Sequence, residues 1–263
     1  MNLQEVIKFN RGSLGRVDSF ITPEEYNKSP DNYGLPPSVF PLLNLPIDDS
    51  PTYIDLILFL QSFLRSPSLK YLEIGVSVCK TFFQAVNFLT NSKLYAFDIN
   101  PINPTIAPHF SLIDVDDSIS QYGCESNLIF YVTGDVFKES SWSPLKKVTE
   151  GPLDVIFSDA HHTGEGLLAE YNYYIKDALA PNFILYYDDL HNPANGMPDA
   201  FKQIFANLKT IRPNITGAFL EANGWLGHHE FRHLNGIITS LDLREVLSRD
   251  CPSIPVDYLE LQQ

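Results

Sequence analysis

Residues 70–81 read KYLEIGVSVCKT, a short apolar run that ends in Gly75 and passes into a stretch of helical character. A buried strand that turns through glycine into a helix is the opening of a βαβ unit. Ligands of such sheets bind beyond the carboxyl ends of the strands, where helix-start N–H groups point outward. Gly75 is therefore a candidate for a cofactor loop; in the plainer alternative it only supplies an unusual backbone angle at a βα turn. Downstream, TFFQAVNFLT (81–90), KLYAFDI (93–99), LIFYVTGD (128–135), LDVIFSD (153–159), GLLAEYNYYIKDAL (166–179) and FILYYDD (183–189) follow. Four of these are short apolar runs of the kind buried in parallel strands, and the others have helical spacing. Upstream, Ile54, Ile57, Leu58, Leu60, Phe63 and Leu64 recur at helical intervals before Ser66-Pro67, which predicts a helix ahead of the first strand.

The end of the chain changes character. ITGAFLEA (215–222) and HLNGIITS (233–240) are strand-like runs joined by the link NGWLGHHEFR (223–232), and they read as a hairpin. Alternating strands and helices closed by an antiparallel hairpin predict an α/β fold. The expected form is a Rossmann-like, doubly wound, seven-stranded, mostly parallel sheet. Residues 1 to about 50 hold Pro30, Pro36, Pro37, Pro41 and Pro46, so they read as an irregular N-terminal arm or lid on a single domain of residues 51–263. Phe20, Tyr26, Tyr33, Phe40, Leu42 and Leu43 are too apolar for a solvated tail, so the arm is expected to cover the pocket or join two subunits.

Two acidic residues end successive strands. Asp98 lies about 20 residues beyond the glycine turn, where a ribose diol is bound in nucleoside sites. Asp135 could meet an adenine amino group, with Val136 or Phe137 against the ring; either Asp could instead cap a helix. LEIGVSVCKT, YAFDI, VTGDVF and the long stretch from Leu153 to Asp189 resemble the successive motifs of class I S-adenosylmethionine-dependent methyltransferases. The likeness is to the small-molecule O-methyltransferases called the methyltransferase-24 type, and it covers roughly residues 54 to 240. The resemblance implies that Glu73 and Gly75 contact the methionine part of S-adenosylmethionine, that Asp98 holds its ribose and that Asp135 lies near its adenine. The loop Asp159-Ala160-His161-His162, with Glu165 following, matches a family loop in which His162 takes the histidine position. Two departures stand out: Val78 and Cys79 occupy a place where the family has a second glycine, and Pro181-Asn182 replaces a Gly-Gly pair.

Asp159, His161 and His162 on one strand end, and Asp188, Asp189, His191 and Asn192 on the next, gather donors at neighbouring tips. Cation-dependent catechol-type O-methyltransferases are similar, and that resemblance implies a Mg²⁺ or other divalent-cation site at Asp159, Asp188 and Asp189, with Asp189 in place of an Asn. Hard carboxylate oxygens suit Mg²⁺, while imidazoles would widen the choice. Without a metal, Asp159 and His162 would shape the acceptor pocket, with His162 as general base. His228, His229 and His233 with Glu230 are read as hairpin surface, and Trp225, beside Gly224 and Gly227, as hairpin packing.

The expected activity is methyl transfer to a small-molecule acceptor, at a hydroxyl. The rivals are a non-catalytic methyltransferase-fold binding protein, which Cys79 favours, and a nicotinamide oxidoreductase, which the missing Gly-x-Gly-x-x-Gly pattern disfavours. A net charge of −14 opposes binding to a phosphate backbone. No apolar run approaches the roughly 20 residues of a membrane helix. Cys79, Cys124 and Cys251 form no Cys-x-x-Cys pair. A soluble cytoplasmic protein, as a monomer or homo-oligomer, is expected.

Overall fold

A computed structural model describes residues 1–15, 17, 50–191, 193–224 and 232–260. The chain enters through helix α1 (Leu3–Leu14), where the expected irregular arm begins instead as regular structure. Its start is fixed by a capping box in which Asn2 and Glu5 each bind the other's backbone N–H, satisfying two helix-end donors. Leu3, Val6, Ile7, Asn10 and Leu14 bury one face of it. The apolar residues are few, yet their three- and four-residue spacing is enough for a one-sided helix. The arm residues from Phe20 to Leu43 lie outside the described residues.

Helix α2 (Tyr53–Gln61) follows, capped by Thr52 and Asp55 in a second capping box. Asp55 is fully buried and also accepts from Asn10 Nδ2 at 2.6 Å and pairs with Arg11 Nη2 at 2.8 Å, so one carboxylate ties α1 to α2. Then come β1 (Lys70–Ile74), α3 (Lys80–Phe88), β2 (Lys93–Asp98), β3 (Ser111–Asp116), β4 (Ile119–Cys124), β5 (Asn127–Thr133), α4 (Trp142–Val148), β6 (Leu153–Ser158) and α5 (Gly164–Glu170). The last of these runs on through a π-helical turn, Tyr171–Ile175, to Ala178. The chain continues with β7 (Leu179–Tyr187), α6 (Met197–Ile211), β8 (Thr216–Asn223), β9 (Arg232–Thr239), α7 (Leu243–Asp250) and β10 (Val256–Tyr258).

The strands form one ten-stranded sheet in the order β10-β8-β9-β7-β6-β1-β2-β5-β4-β3. The middle seven, from β8 to β5, are the predicted arrangement, parallel from β7 through β5 and closed by the antiparallel β8–β9 hairpin. The expected seven strands become ten because β10 adds at one edge and the β3–β4 hairpin at the other. All of β3 is exposed, including Leu112, Ile113 and Val115. Along the central strands side chains alternate between two buried layers: Tyr71, Val155, Phe157, Ile184 and Tyr186 face α1, α2, α3 and α7, whereas Leu72, Ile156, Leu185 and Tyr187 face α4, α5 and α6. Chain order reverses between β1 and β6, which opens a crevice at their carboxyl ends.

Candidate functional site

At the end of β1, Gly75 adopts a φ of +81°, and a Cβ there would collide with the backbone of Asp159 and Ala160 at the end of β6. Close approach of two strand ends is thus what requires the glycine. The loop that follows holds Ser77 and Cys79 in the left-handed region, with φ of 47° and 61°, a conformation that costs a non-glycine residue about 1–2 kcal/mol. Cys79 therefore holds a backbone shape that favours glycine, and its thiol is buried.

Asp98 holds this loop. Its Oδ2 accepts from the N–H groups of Val76 (2.6 Å) and Ser77 (2.9 Å), and its Oδ1 from Asn100 N–H (2.8 Å). Burial pushes its carboxyl upward, against the pull of these N–H groups. Glu73, on the adjoining strand, is buried and accepts the Tyr71 hydroxyl at 2.7 Å; desolvation raises it well above the usual carboxylate range. Asp135 stands apart, nearer solvent, where its oxygens take Phe137 N–H at 3.0 Å and Lys138 Nζ at 3.1 Å and are held low by both. Ile99 and Phe137 leave exposed apolar surface beyond β2 and β5. The Phe137 ring meets that of His161 edge-on at 4.7 Å, and His161 Nδ1 is anchored on Thr163 Oγ1 at 3.0 Å.

The tips of β6 and β7 carry a chain of carboxylates and imidazoles. Asp159 Oδ1 lies 3.0 Å from His162 Nε2, and His162 Nδ1 lies 2.9 Å from Asp189 Oδ2. Asp189 Oδ1 meets His191 Nδ1 at 2.8 Å, and Asp188 receives His233 Nδ1 at 2.9 Å on both oxygens. Burial alone would discharge His162, but its hydrogen bonds to Asp159 and Asp189 outweigh that and carry it up to about 11. His233 is likewise disfavoured by burial and then raised to about 9 by Asp188 and Asp189. Asp159 rises to about 6 through burial and the nearby Asp188 charge, with His162 pulling the other way. Beneath this chain, Ser158 Oγ donates to Glu170 Oε2 at 2.5 Å, and burial lifts Glu170 to about 8.

The structure thus brings Asp159, His162, Asp188 and Asp189 together, with Glu73 close enough to feel the Asp159 charge, and leaves Asp135 at the rim. The three carboxylates expected to converge on a cation turn to imidazoles instead. Among the described residues, no group of three or more His, Cys, Asp or Glu side chains is placed to hold a metal ion. His233, read from sequence as hairpin surface, belongs to the site. The signal lay in the topology: β9 runs antiparallel to β7, with Tyr187 opposite Gly236 and Leu190 N–H on Leu234 C=O, so the start of β9 must lie beside the end of β7. Gly224 makes room for the ring, since a Cβ there would stand 2.8 Å from His233 Nε2. Tyr53, fully buried, places its ring 6.1 Å from that of His233 and its hydroxyl 3.4 Å from Thr81 Oγ1. Asn192, Trp225, Gly227, His228, His229 and Glu230 lie outside the described residues.

No family model matches the chain, and no curated protein does. Among solved structures, cofactor-bound Rv0187 from MTB is similar over 84% of this chain and 98% of its own, with 13% identity and a TM-score of 0.47. The plantazolicin methyltransferase BpumL in complex with SAH is similar over 91% and 99%, at 11% identity and a TM-score of 0.43. A spermidine synthase in complex with the transition state analogue AdoDATO is similar over 72% and 61%, at 13% identity and a TM-score of 0.40. At such identities the likeness brings no activity with it.

Proposed function

We propose that this chain is an S-adenosylmethionine-dependent methyltransferase that acts on a hydroxyl of a small-molecule acceptor. The observation that carries the reading is the placement of Gly75, Glu73 and Asp98 at the tips of β1 and β2, beside the crevice where chain order reverses. The residues present suit the cofactor's chemistry: a buried carboxylate at Glu73 for an ammonium, a carboxylate at Asp98 for a diol, and exposed apolar surface at Ile99 and Phe137 for a base. The cofactor would supply an electrophilic methyl group. The protein's share is to align the acceptor, exclude water and handle one proton.

Within that reading Asp159 and His162 face the acceptor. His162 spends both ring nitrogens on Asp159 and Asp189, so its part is orientation, not proton removal. Among the described residues the Nε2 of His233 has no hydrogen-bond partner while its Nδ1 rests on Asp188; raised to about 9, the ring takes an acceptor proton only in its neutral form, which gains population as pH rises toward that value. Among the described residues no group of three His, Cys, Asp or Glu side chains is placed to hold a divalent cation, and no step is assigned to one.

The second reading is a binding protein that keeps the sheet without the chemistry. It is favoured by Asp98, whose carboxylate already satisfies the N–H groups of Val76 and Ser77. Calorimetric titration with S-adenosylhomocysteine and with NAD separates these. The methyltransferase reading expects binding of the first alone, weakened in Asp98→Ala by about 1.5–3 kcal/mol. No binding of S-adenosylhomocysteine to the folded chain removes it.

A further inference from the structure

β3 ends the sheet on one side, and among the described residues no strand pairs with its outer edge. The root of its hairpin is held on α3, where the Phe110 ring lies 6.2 Å from those of Phe83 and Tyr122. Register with β4 then sorts the side chains, because residues directly opposite one another share a face. Leu112, opposite Tyr122, and Val115, opposite Ser120, stand on the face where Tyr122 enters the layer of α3. Asp114, opposite Gln121, and Asp116, opposite Ile119, stand on the other. The pairing shifts between Leu112 and Asp114, which makes Ile113 the extra residue of a bulge, and its Cδ1 lies over Gly123, 3.5 Å from where a Cβ would stand. That bulge is what keeps Leu112 and Val115 on one face despite their odd spacing.

The result is an open backbone edge with one apolar and one acidic face. Leu112, Ile113 and Val115 are 60%, 57% and 58% exposed. Neither lysine nor proline, the usual guards of a sheet edge, occurs between Ser111 and Asp116. On the acidic face Lys147 Nζ reaches Asp116 from α4 at 3.4 Å, an exposed pair that contributes little by itself. We propose that this edge docks an extended segment of another protein in which apolar residues alternate with lysine or arginine. Such a segment would lengthen the ladder through main-chain hydrogen bonds, which carry the affinity. Its apolar residues would lie beside Leu112 and Val115 and its cations beside Asp114 and Asp116, which carries the specificity. A second copy of this chain fits the edge poorly. Antiparallel pairing of two β3 strands about a two-fold axis through the sheet sets each face beside its own kind, so the aspartates of both copies share one face, where like charges destabilise the pair. A net charge of −14 on each copy opposes the approach as well. Four strand spacings, about 19 Å, separate β3 from β1, so the edge is distinct from the crevice.

The probe is an acetylated, amidated octapeptide of alternating valine and lysine, titrated into the full-length chain and followed by amide hydrogen exchange and ¹⁵N–¹H shifts. Saturable binding should slow the exchange of β3 amides. Asp114→Lys combined with Asp116→Lys, both at exposed positions, should weaken this peptide at least about tenfold, as cross-strand charge pairs turn from attractive to repulsive. The same double variant should bind the valine–glutamate peptide in its place. A valine–lysine peptide with every backbone amide N-methylated cannot donate to the ladder and should not bind. Absence of β3 protection, unchanged affinity in the double variant, or equal binding of the N-methylated peptide would each overturn the proposal. So would sedimentation showing that the chain alone dimerises and that Val115→Pro returns it to a monomer, since the edge would then belong to a second copy.

Discussion

Gly75 shows how much a single missing methyl group can decide. With φ at +81° and the backbone of Asp159 and Ala160 filling the space a Cβ would need, Gly75→Ala should destabilise the fold by more than about 2 kcal/mol through combined strain and collision. Urea unfolding measures this, and a loss below about 0.5 kcal/mol would show that the end of β6 yields instead. The titrating groups make a prediction of definite sign. His162 and His233 are raised to about 11 and about 9, Glu170 to about 8 and Asp159 to about 6, so the folded chain binds more protons than the unfolded one across the neutral range. Their stabilisation is complete below the unfolded values and fades as pH rises through the folded ones. Unfolding free energy should therefore decline steadily from pH 6 to pH 9, and Glu170→Gln should flatten the part of that decline below about pH 8. Constant stability over this range would contradict the buried positions of these groups. Asp98, Asp159 and Asp188 were legible because each ends an apolar run. His233 was not, because its importance comes from a strand partner rather than from its own neighbours in sequence.

At the level of elements, the predicted strands and helices from Tyr53 to Thr239 appear where the apolar periodicity puts them, because burial on both faces of a central strand leaves a continuous apolar run. The β3–β4 hairpin escaped notice for the opposite reason. SLIDVD is wholly exposed, so nothing forces a readable alternation, and the turn depends on Asp117 at a φ of 45° instead of a glycine. Helix α1 hid for a related reason, its register being set by a capping box and a few apolar contacts. Its attachment is concentrated at Asp55, which serves Thr52, Asn10 and Arg11 at once. Asp55→Ala takes the carboxylate from a half-buried guanidinium that keeps backbone contact at Ser50, and breaks the capping box of α2, and should cost about 2–4 kcal/mol. Thermal unfolding monitors the loss, and limited proteolysis should find α1 the first element released. A drop of less than about 1 kcal/mol would mean that apolar packing alone seats the helix.

Across the whole molecule, cofactor binding and stability are linked. If S-adenosylhomocysteine binds only the folded chain, a concentration one hundred times its Kd should add about 2.7 kcal/mol, visible as a rise in melting temperature that NAD does not reproduce. Among the described residues no helix is long and apolar enough to cross a membrane. The order of the strands also has a consequence in time. β3, β4 and β5 are neighbours in sequence and pair antiparallel through short turns, whereas β1 must find β6 across the whole stretch that separates Tyr71 from its partner Val155. Closing a long loop costs entropy before any contact repays it, and non-local parallel pairing is slow. The exposed edge meander should acquire amide protection before the central parallel ladder does in pulse-labelled hydrogen exchange. The crevice between β1 and β6 would then be the last part of the sheet to exist, so a nascent chain would have its periphery in place while the pocket at its centre was still unformed.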